Sequence, residues 1–294
     1  MIRIGVIGHQ GQVARSLADA AAGRTDVDLV VIKRPEVDFL RPETIAPALA
    51  AGAPDVVINP AAYTAVDQAE EDEARALQIN ALAPGMLAET CAAAGIPMVH
   101  LSTDYVFDGT KGAPYREDDP VAPLGVYGRT KLEGERRVAA ASDRHLVVRT
   151  AWIHSPFGHN FVRTMLRLGQ ERERLRVVSD QRGAPTYAPH LACALLEMVG
   201  IIRAGERRRG CVHASNTGAT TWFGLAELIF REAARFGYHP PALEPIASVD
   251  YPTPVVRPKD SRLDLTRLQQ DFGIALPPWE EGVRAGVAAL LNGR

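Results

Sequence analysis

Short apolar runs alternate with amphipathic ones through the first half of the chain. Residues 2–8 (IRIGVIG), 27–33 (VDLVVIK), 55–62 (DVVINPAA), 96–104 (IPMVHLSTD) and 145–152 (HLVVRTAW) are almost continuously apolar and too short for membrane spans. Between them, residues 12–23, 44–53, 72–95 and 130–141 repeat their apolar positions at helical spacing. Continuous apolar strands separated by helices predict a parallel sheet buried on both faces. Right-handed crossovers then give an α/β, Rossmann-like, doubly wound sheet.

The pattern changes near Trp152. Residues 160–175 (NFVRTMLRLGQERERL), 222–237 (WFGLAELIFREAARFG) and 278–293 read as amphipathic helices, while 238–261 are rich in proline. The expectation is a nucleotide-binding domain over residues 1–151. A smaller, loop-rich substrate region over 152–294 is partly interleaved with it. Residues 203–210 (RAGERRRG) form a short basic run that reads as a solvated loop.

Composition narrows the class. The net charge of -2 over 294 residues gives no electrostatic case for nucleic acid. The odd, scattered cysteines Cys91, Cys193 and Cys211 form no disulfide framework, which fits a reducing cytoplasm. The N-terminus lacks a signal-peptide h-region, and no stretch is apolar enough to suggest a membrane partner. His154 and His159 are five residues apart without a third ligand nearby, so no metal site is expected. No Gly-x-Ser-x-Gly elbow points to a serine hydrolase.

Candidate chemistry gathers at the predicted strand ends. Residues 8–14 read GHQGQVA, with Gly8, Gly11 and Ala14 at the first strand-to-helix turn. Glycines there let the backbone approach a pyrophosphate beneath the free N–H groups of a helix N-terminus. The acid that would bind a ribose 2′-hydroxyl is expected near the end of the second strand, where Lys33 and Arg34 stand instead. Two cations suit a 2′-phosphate, favouring NADPH; Asp38 nearby keeps NADH open. The fourth strand ends in Ser102, Thr103, Asp104 and Tyr105. Tyr127 and Lys131 follow at i, i+4, one above the other on a helix face. A tyrosine phenol titrates near 10; an adjacent ammonium lowers that value and fits the phenol for general acid catalysis at a carbonyl. Thr103 is placed to hydrogen-bond the same substrate oxygen.

The segments GHQGQV, PDVVINPAAYTAVDQAE, STDYVFDG, YGRTKLEGE, RTAWIHSPFGHNFVRTML, VVSDQRGAPTYA and RPKDSRLD occur in that order and cover most of the chain. The sequence thereby resembles the extended short-chain dehydrogenase/reductases and, within them, the dTDP-4-dehydrorhamnose reductase family. The resemblance implies NADPH- or NADH-dependent reduction of the 4-keto group of a dTDP-4-dehydro-sugar, giving dTDP-L-rhamnose. It implies Tyr127 as proton donor, Lys131 as its partner and cofactor ligand, and Thr103 and Asp104 at the reacting centre. It assigns Gly11, Gln12 and Val13 to the phosphate loop, Asp38 and Phe39 to the adenosine, and Ala62, Tyr63 and Thr64 to a cofactor contact after the third strand. It places Tyr105, Trp152, Asn160 and Arg257 at the nucleotide-sugar. Two departures stand out: Pro60 where a small residue is usual, and Ser16 where some members carry a glutamate that binds Mg²⁺ at a dimer interface. Mg²⁺ and a homodimer are therefore left open. So are two other readings: a reductase or epimerase of another nucleotide-sugar, and a non-catalytic regulatory subunit on the same fold.

Overall fold

A computed structural model describes residues 1–203 and 209–292. The basic run at 203–210 lies largely outside these residues. The first half runs β1 (Ile2–Ile7), α1 (Gln12–Ala21), β2 (Val27–Ile32), α2 (Ile45–Gly52), β3 (Val56–Asn59), α3 (Val66–Ala69), α4 (Glu73–Leu77), α5 (Ala83–Ala93), β4 (Met98–Thr103), α6 (Val126–Ala141) and β5 (His145–Thr150). The second half runs β6 (Ile153–His154), α7 (Phe161–Glu171), β7 (Arg174–Val178), β8 (Arg182–Gly183), β9 (Thr186–Tyr187), α8 (Ala188–Arg203), β10 (Gly210–His213), β11 (Thr220–Thr221), α9 (Trp222–Ala234), β12 (Ala242–Ile246), α10 (Thr266–Phe272) and α11 (Trp279–Asn292).

A six-stranded sheet has the order β10-β5-β4-β3-β1-β2, parallel throughout. The apolar strands are apolar because both faces are covered. On one face Ile4, Val6, Ile58, Val99 and Val148 pack with Leu17 of α1 and Leu191 and Leu195 of α8. On the other, Ile7, Val57, Met98 and Val147 meet Leu49 of α2, Leu87 of α5 and Val138 of α6. The chain runs from β1 outward to β2 and back to β3, so the strand order reverses between β1 and β3. The carboxyl ends flanking that reversal are where a doubly wound sheet binds its ligand.

A separate core forms from Met165 and Leu166 of α7, Leu175 and Val177 of β7, Leu225 and Ile229 of α9, and Val283 and Val287 of α11. The helix expected over 160–175 ends at Glu171, because Arg174–Val178 form β7 and pair with β12. Residues 188–213 return to the main sheet: α8 packs on α1 and β10 extends the edge beside β5. That return crosses the expected boundary at 151/152.

Helices α4 and α5 are joined by a π-helical turn at Gln78–Leu82. Its Asn80 carbonyl lies under α6, where a Cβ on Gly134 would come within 2.0 Å of the oxygen. Six residues earlier on α6, a Cβ on Gly128 would come within 2.3 Å of the Tyr105 carbonyl. The two glycines let α6 lie against backbone on both sides. Gly134→Ala should therefore cost about 2 kcal/mol of stability through overpacking, read as a fall in the urea midpoint with an unchanged m-value.

Candidate active site

Gly8 ends β1 with φ +90°, a left-handed conformation that favours glycine. Gly11 is the N-cap of α1 and offers no side-chain cap to its first N–H groups. A Cβ on either glycine would meet nothing within 4 Å, so the turn is open toward an anion. The residues thus fit a pyrophosphate. Gln12 faces away from that turn: its Oε1 accepts from Ser155 Oγ at 2.8 Å and from Asn160 Nδ2 at 2.9 Å. Val13 is buried in the sheet-facing core. Lys33 and Arg34 are exposed past β2. Asp38 accepts from the Leu40 N–H and pairs with Arg41, while Phe39 is buried with its carbonyl bound by Gln78 Nε2 at 2.9 Å.

Ala62, Tyr63 and Thr64 lie in the loop after β3. Asn80 latches this loop to α6: its Oδ1 accepts from the Tyr63 N–H, and its Nδ2 donates to the Tyr63 carbonyl and to Thr130 Oγ1. The sequence gives no local sign of this, because the partners lie 17 and 50 residues away.

Helix α6 begins at Val126 because the Glu70 carboxylate accepts from the Val126 N–H at 2.6 Å. An anion there also complements the helix dipole. This capping was missed: the acidic run 67–74 reads from sequence as belonging only to its own helix. Farther along α6, Glu135 accepts from Arg149 Nε at 2.9 Å and Nη2 at 2.7 Å, and from Ser102 Oγ at 2.5 Å. This buried pair ties α6 to β4 and β5.

The chemistry-bearing side chains meet beyond β4. Tyr127 and Tyr105 rings stand edge to face, with centroids 5.8 Å apart. Thr103 Oγ1 accepts from the Tyr105 N–H and donates to Asp104 Oδ1 at 3.1 Å. A small pocket opens here, lined by Tyr105, Tyr127, Gly128, Val255 and Pro258 among others. Arg257 sits in the same wall, with Nη2 3.0 Å from Asp67, and beside the Tyr105 phenol. So Thr103, Asp104, Tyr105, Tyr127 and Arg257 share one cleft.

Two further predicted residues are held by contacts of their own. Asn160 is the N-cap of α7: Oδ1 accepts from the Arg163 N–H, and Nδ2 donates to Gln12 Oε1 and to the Ser155 and Phe157 carbonyls. Through Gln12 these bonds brace the glycine turn, and one lone pair of Oδ1 is left free of them. Trp152, at φ +46°, stacks on Trp222 with centroids 3.6 Å apart and covers Gly183, where a Cβ would come within 2.4 Å of the indole. Trp222 is half-buried against the second core, with Nε1 donating to Gln181 at 3.1 Å.

Electrostatics departs from the sequence argument at Tyr127. Burial pushes its phenol up, the Thr103 hydroxyl opposes the shift, and the nearby Asp104 and Tyr105 charges add to it. The Lys131 ammonium was expected to lower this value. Lys131 is itself buried and pushed down to about 8 by desolvation, with Glu135 opposing. Its Nζ donates to the Leu101 carbonyl at 2.6 Å rather than to the tyrosine. A phenol with a raised pKa keeps its proton at neutral pH, the form in which a general acid must wait. Ser16, at the position of the expected metal-binding glutamate, is buried with its hydroxyl on the Gln12 carbonyl. It offers no carboxylate there.

Asp104 is 2 % exposed and its Oδ2 has no hydrogen-bond partner. Burial raises its carboxyl from 3.8 to about 6, with Ser261 and Thr103 hydroxyls opposing. The folded pKa lies above the unfolded one, so this group's contribution is fully present below the unfolded value and is lost as pH rises through about 6. Asp104→Asn should remove that loss. Relative to the wild type, its unfolding free energy should rise by about 3 kcal/mol between pH 3 and 7. Urea denaturation across that range checks it; parallel curves would show an Asp104 that is not perturbed.

A family model described as the RmlD substrate binding domain matches residues 2–292. A dTDP-4-dehydrorhamnose reductase of Sinorhizobium fredii is 41% identical over 99% of this chain and 98% of its own length. A crystal structure of a dTDP-4-dehydrorhamnose reductase from Clostridium acetobutylicum superposes with a TM-score of 0.91 at 34% identity, covering 98% of this chain and 99% of that one. The Bacillus anthracis enzyme of the same name, crystallised in complex with NADP, gives 0.89 at 32% identity over 97% and 98%. Matched over nearly its whole length, the protein belongs to the dTDP-4-dehydrorhamnose reductase family.

Proposed function

We propose that the chain reduces the 4-keto group of dTDP-4-dehydro-L-rhamnose with NADPH, giving dTDP-L-rhamnose. The observation that carries this reading is the convergence of Thr103, Asp104, Tyr105 and Tyr127 in one cleft at the carboxyl end of β4. A relative of the same family binds NADP, which supports a nicotinamide nucleotide here.

The bound nucleotide would supply the hydride to the sugar carbon; the rest falls to residues of this chain. Gly8, Gly11 and the first turn of α1 would hold the pyrophosphate. Lys33 and Arg34 would contact the 2′-phosphate, both being exposed at the end of β2. Asp38, Phe39 and the loop at Ala62, Tyr63 and Thr64 would border the nucleotide. Thr103 would hydrogen-bond the carbonyl oxygen, and Tyr127 would give it a proton. Arg257, anchored by Asp67, is the cation in the cleft wall suited to a diphosphate. Trp152 on Trp222 would present an aromatic edge to the sugar.

The assay mixes the protein with dTDP-4-dehydro-L-rhamnose and NADPH and follows loss of reduced cofactor. Stoichiometric oxidation is expected. Sugar conversion without net oxidation would mean an epimerase, and no reaction in folded protein would sink the reading. Tyr127→Phe should lower kcat by ~10²–10⁴, the usual size of a general acid's contribution. A Lys33→Ala, Arg34→Ala double variant should raise KM for NADPH by ~10–100-fold and leave NADH almost unchanged, since charge-assisted hydrogen bonds to a phosphate are the interactions removed.

A further inference from the structure

Behind Lys131 lies a buried line of polar groups that the reductase chemistry above does not use. His100, on β4, has no exposed surface. Its Nδ1 is 3.1 Å from Asn59 Nδ2, and its Nε2 is 3.3 Å from Lys131 Nζ. The orientation of Asn59 is fixed, because its Oδ1 accepts from the Ala61 N–H at 3.1 Å. The end that faces His100 is therefore the NH₂ donor, and Nδ1 must accept. A neutral imidazole carries one proton, so that proton sits on Nε2 and points at Lys131. Burial, then the nearby Lys131 charge, holds His100 well below its ordinary range, so it is neutral.

An ammonium has three donors and no lone pair. Set against Nε2–H it makes a donor-against-donor contact in a dry site. A neutral amine can accept from Nε2–H while still donating to the Leu101 carbonyl at 2.6 Å. We propose that His100, fixed in one tautomer by Asn59, is a positioning residue that favours the neutral amine of Lys131 over the ammonium.

Of the other groups around Lys131, only the Glu135 carboxylate favours the ammonium, and burial outweighs it. On α6, Tyr127 is a neutral phenol, and Glu135 is committed to Arg149 of β5 and Ser102 of β4. Asn59 of β3 and Asn80 of the π-helical turn are uncharged. Asp104 and Tyr105 lie beyond the end of β4 on the Tyr127 side, Glu70 of α3 caps Val126, and Glu73 of α4 pairs with Arg129 at the surface. Lys131 then gives up its proton more readily than an exposed lysine does. Its charge decides how far the Tyr127 phenol is lowered toward a useful pKa.

The inference deepens the proposed function and rests on it only for that consequence; its test needs neither nucleotide nor sugar, so a failed turnover assay and a failed titration are separate results. The chain has four lysines, Lys33, Lys111, Lys131 and Lys259. Protein labelled with ¹³C at the lysine ε-carbon gives few enough signals to follow each by NMR, with Lys131→Met identifying the one of interest. The expected midpoint for Lys131 is about 8. His100→Gln can turn its side-chain carbonyl to the ammonium and should raise the midpoint by about one pH unit or more, a tenfold change in proton affinity. Asn59→Asp should act in the same direction by another route: its carboxylate accepts from Nδ1–H, which leaves Nε2 as an acceptor for the ammonium. In the wild type, ¹⁵N spectra should find the His100 proton on Nε2, a result that needs no variant to fold. A His100 proton on Nδ1, a wild-type midpoint at about 10, or a midpoint unmoved in a folded His100→Gln would overturn the proposal.

Discussion

Glu135 accepts hydrogen bonds from two nitrogens of Arg149 on β5 and from Ser102 on β4, all of them buried. The geometry of the candidate site follows from this arrangement. Removing a buried carboxylate from water is costly unless its lone pairs are met, and here three donors from two strands meet them. Glu135 lies one turn after Lys131 and two turns after Tyr127 on α6. Holding Glu135 therefore sets both the rotation and the height of the helix over the sheet. Glu70 fixes the other end by capping Val126. Gly128 and Gly134 let the helix seat at that height, one against the Tyr105 carbonyl and the other against the Asn80 carbonyl.

Much of this was legible in the sequence where the signal is local. The apolar strands, the Gly8–Gly11 turn and the i, i+4 spacing of Tyr127 and Lys131 each declare themselves within a dozen residues. The order of these features along the chain then brings them to the same edge of a parallel sheet. What was not legible depends on partners far away in sequence. Asn80 looks like a stray polar residue in a helix until the Tyr63 loop and Thr130 are seen on either side of it. Glu70 sits in an acidic run whose helix it does not cap. The four residues of β10 begin with a glycine and are too short for a periodicity signal, yet the edge of β5 gives them a place. Asn160 was assigned to the sugar because its segment resembles the family; that it also caps α7 and braces Gln12 depends on a partner far away in sequence.

The largest change concerns charge. Spacing alone treats Tyr127 and Lys131 as an acid and a cation side by side, and it leaves out the cost of bringing either into a dry site. That cost acts on every unpaired titratable group around the cleft in the direction of neutrality. It raises Tyr127, Tyr105 and Asp104, and it lowers Lys131 and His100. One cause, burial, heads each of these shifts, so they agree without any special contact being invoked.

The groups that meet charge with charge are the two ion pairs at the margins. Glu135 and Arg149 lie under the helix, and Asp67 and Arg257 lie in the cleft wall. Between them the polar groups are satisfied as neutral donors and acceptors, with Asn59, His100, Lys131 and the Leu101 carbonyl in one line. Such a line is sensitive to protonation: adding a proton at Lys131 turns an acceptor into a donor, and the fixed tautomer of His100 opposes it. A reductase needs a protonated tyrosine before hydride transfer and a stabilised phenolate after it. Only the ammonium form of Lys131 can stabilise that phenolate by charge, so the proton affinity set by its buried neighbours bears on the second state. The buried residues behind the tyrosine–lysine pair thus bear on its chemistry as directly as the spacing that first marked it.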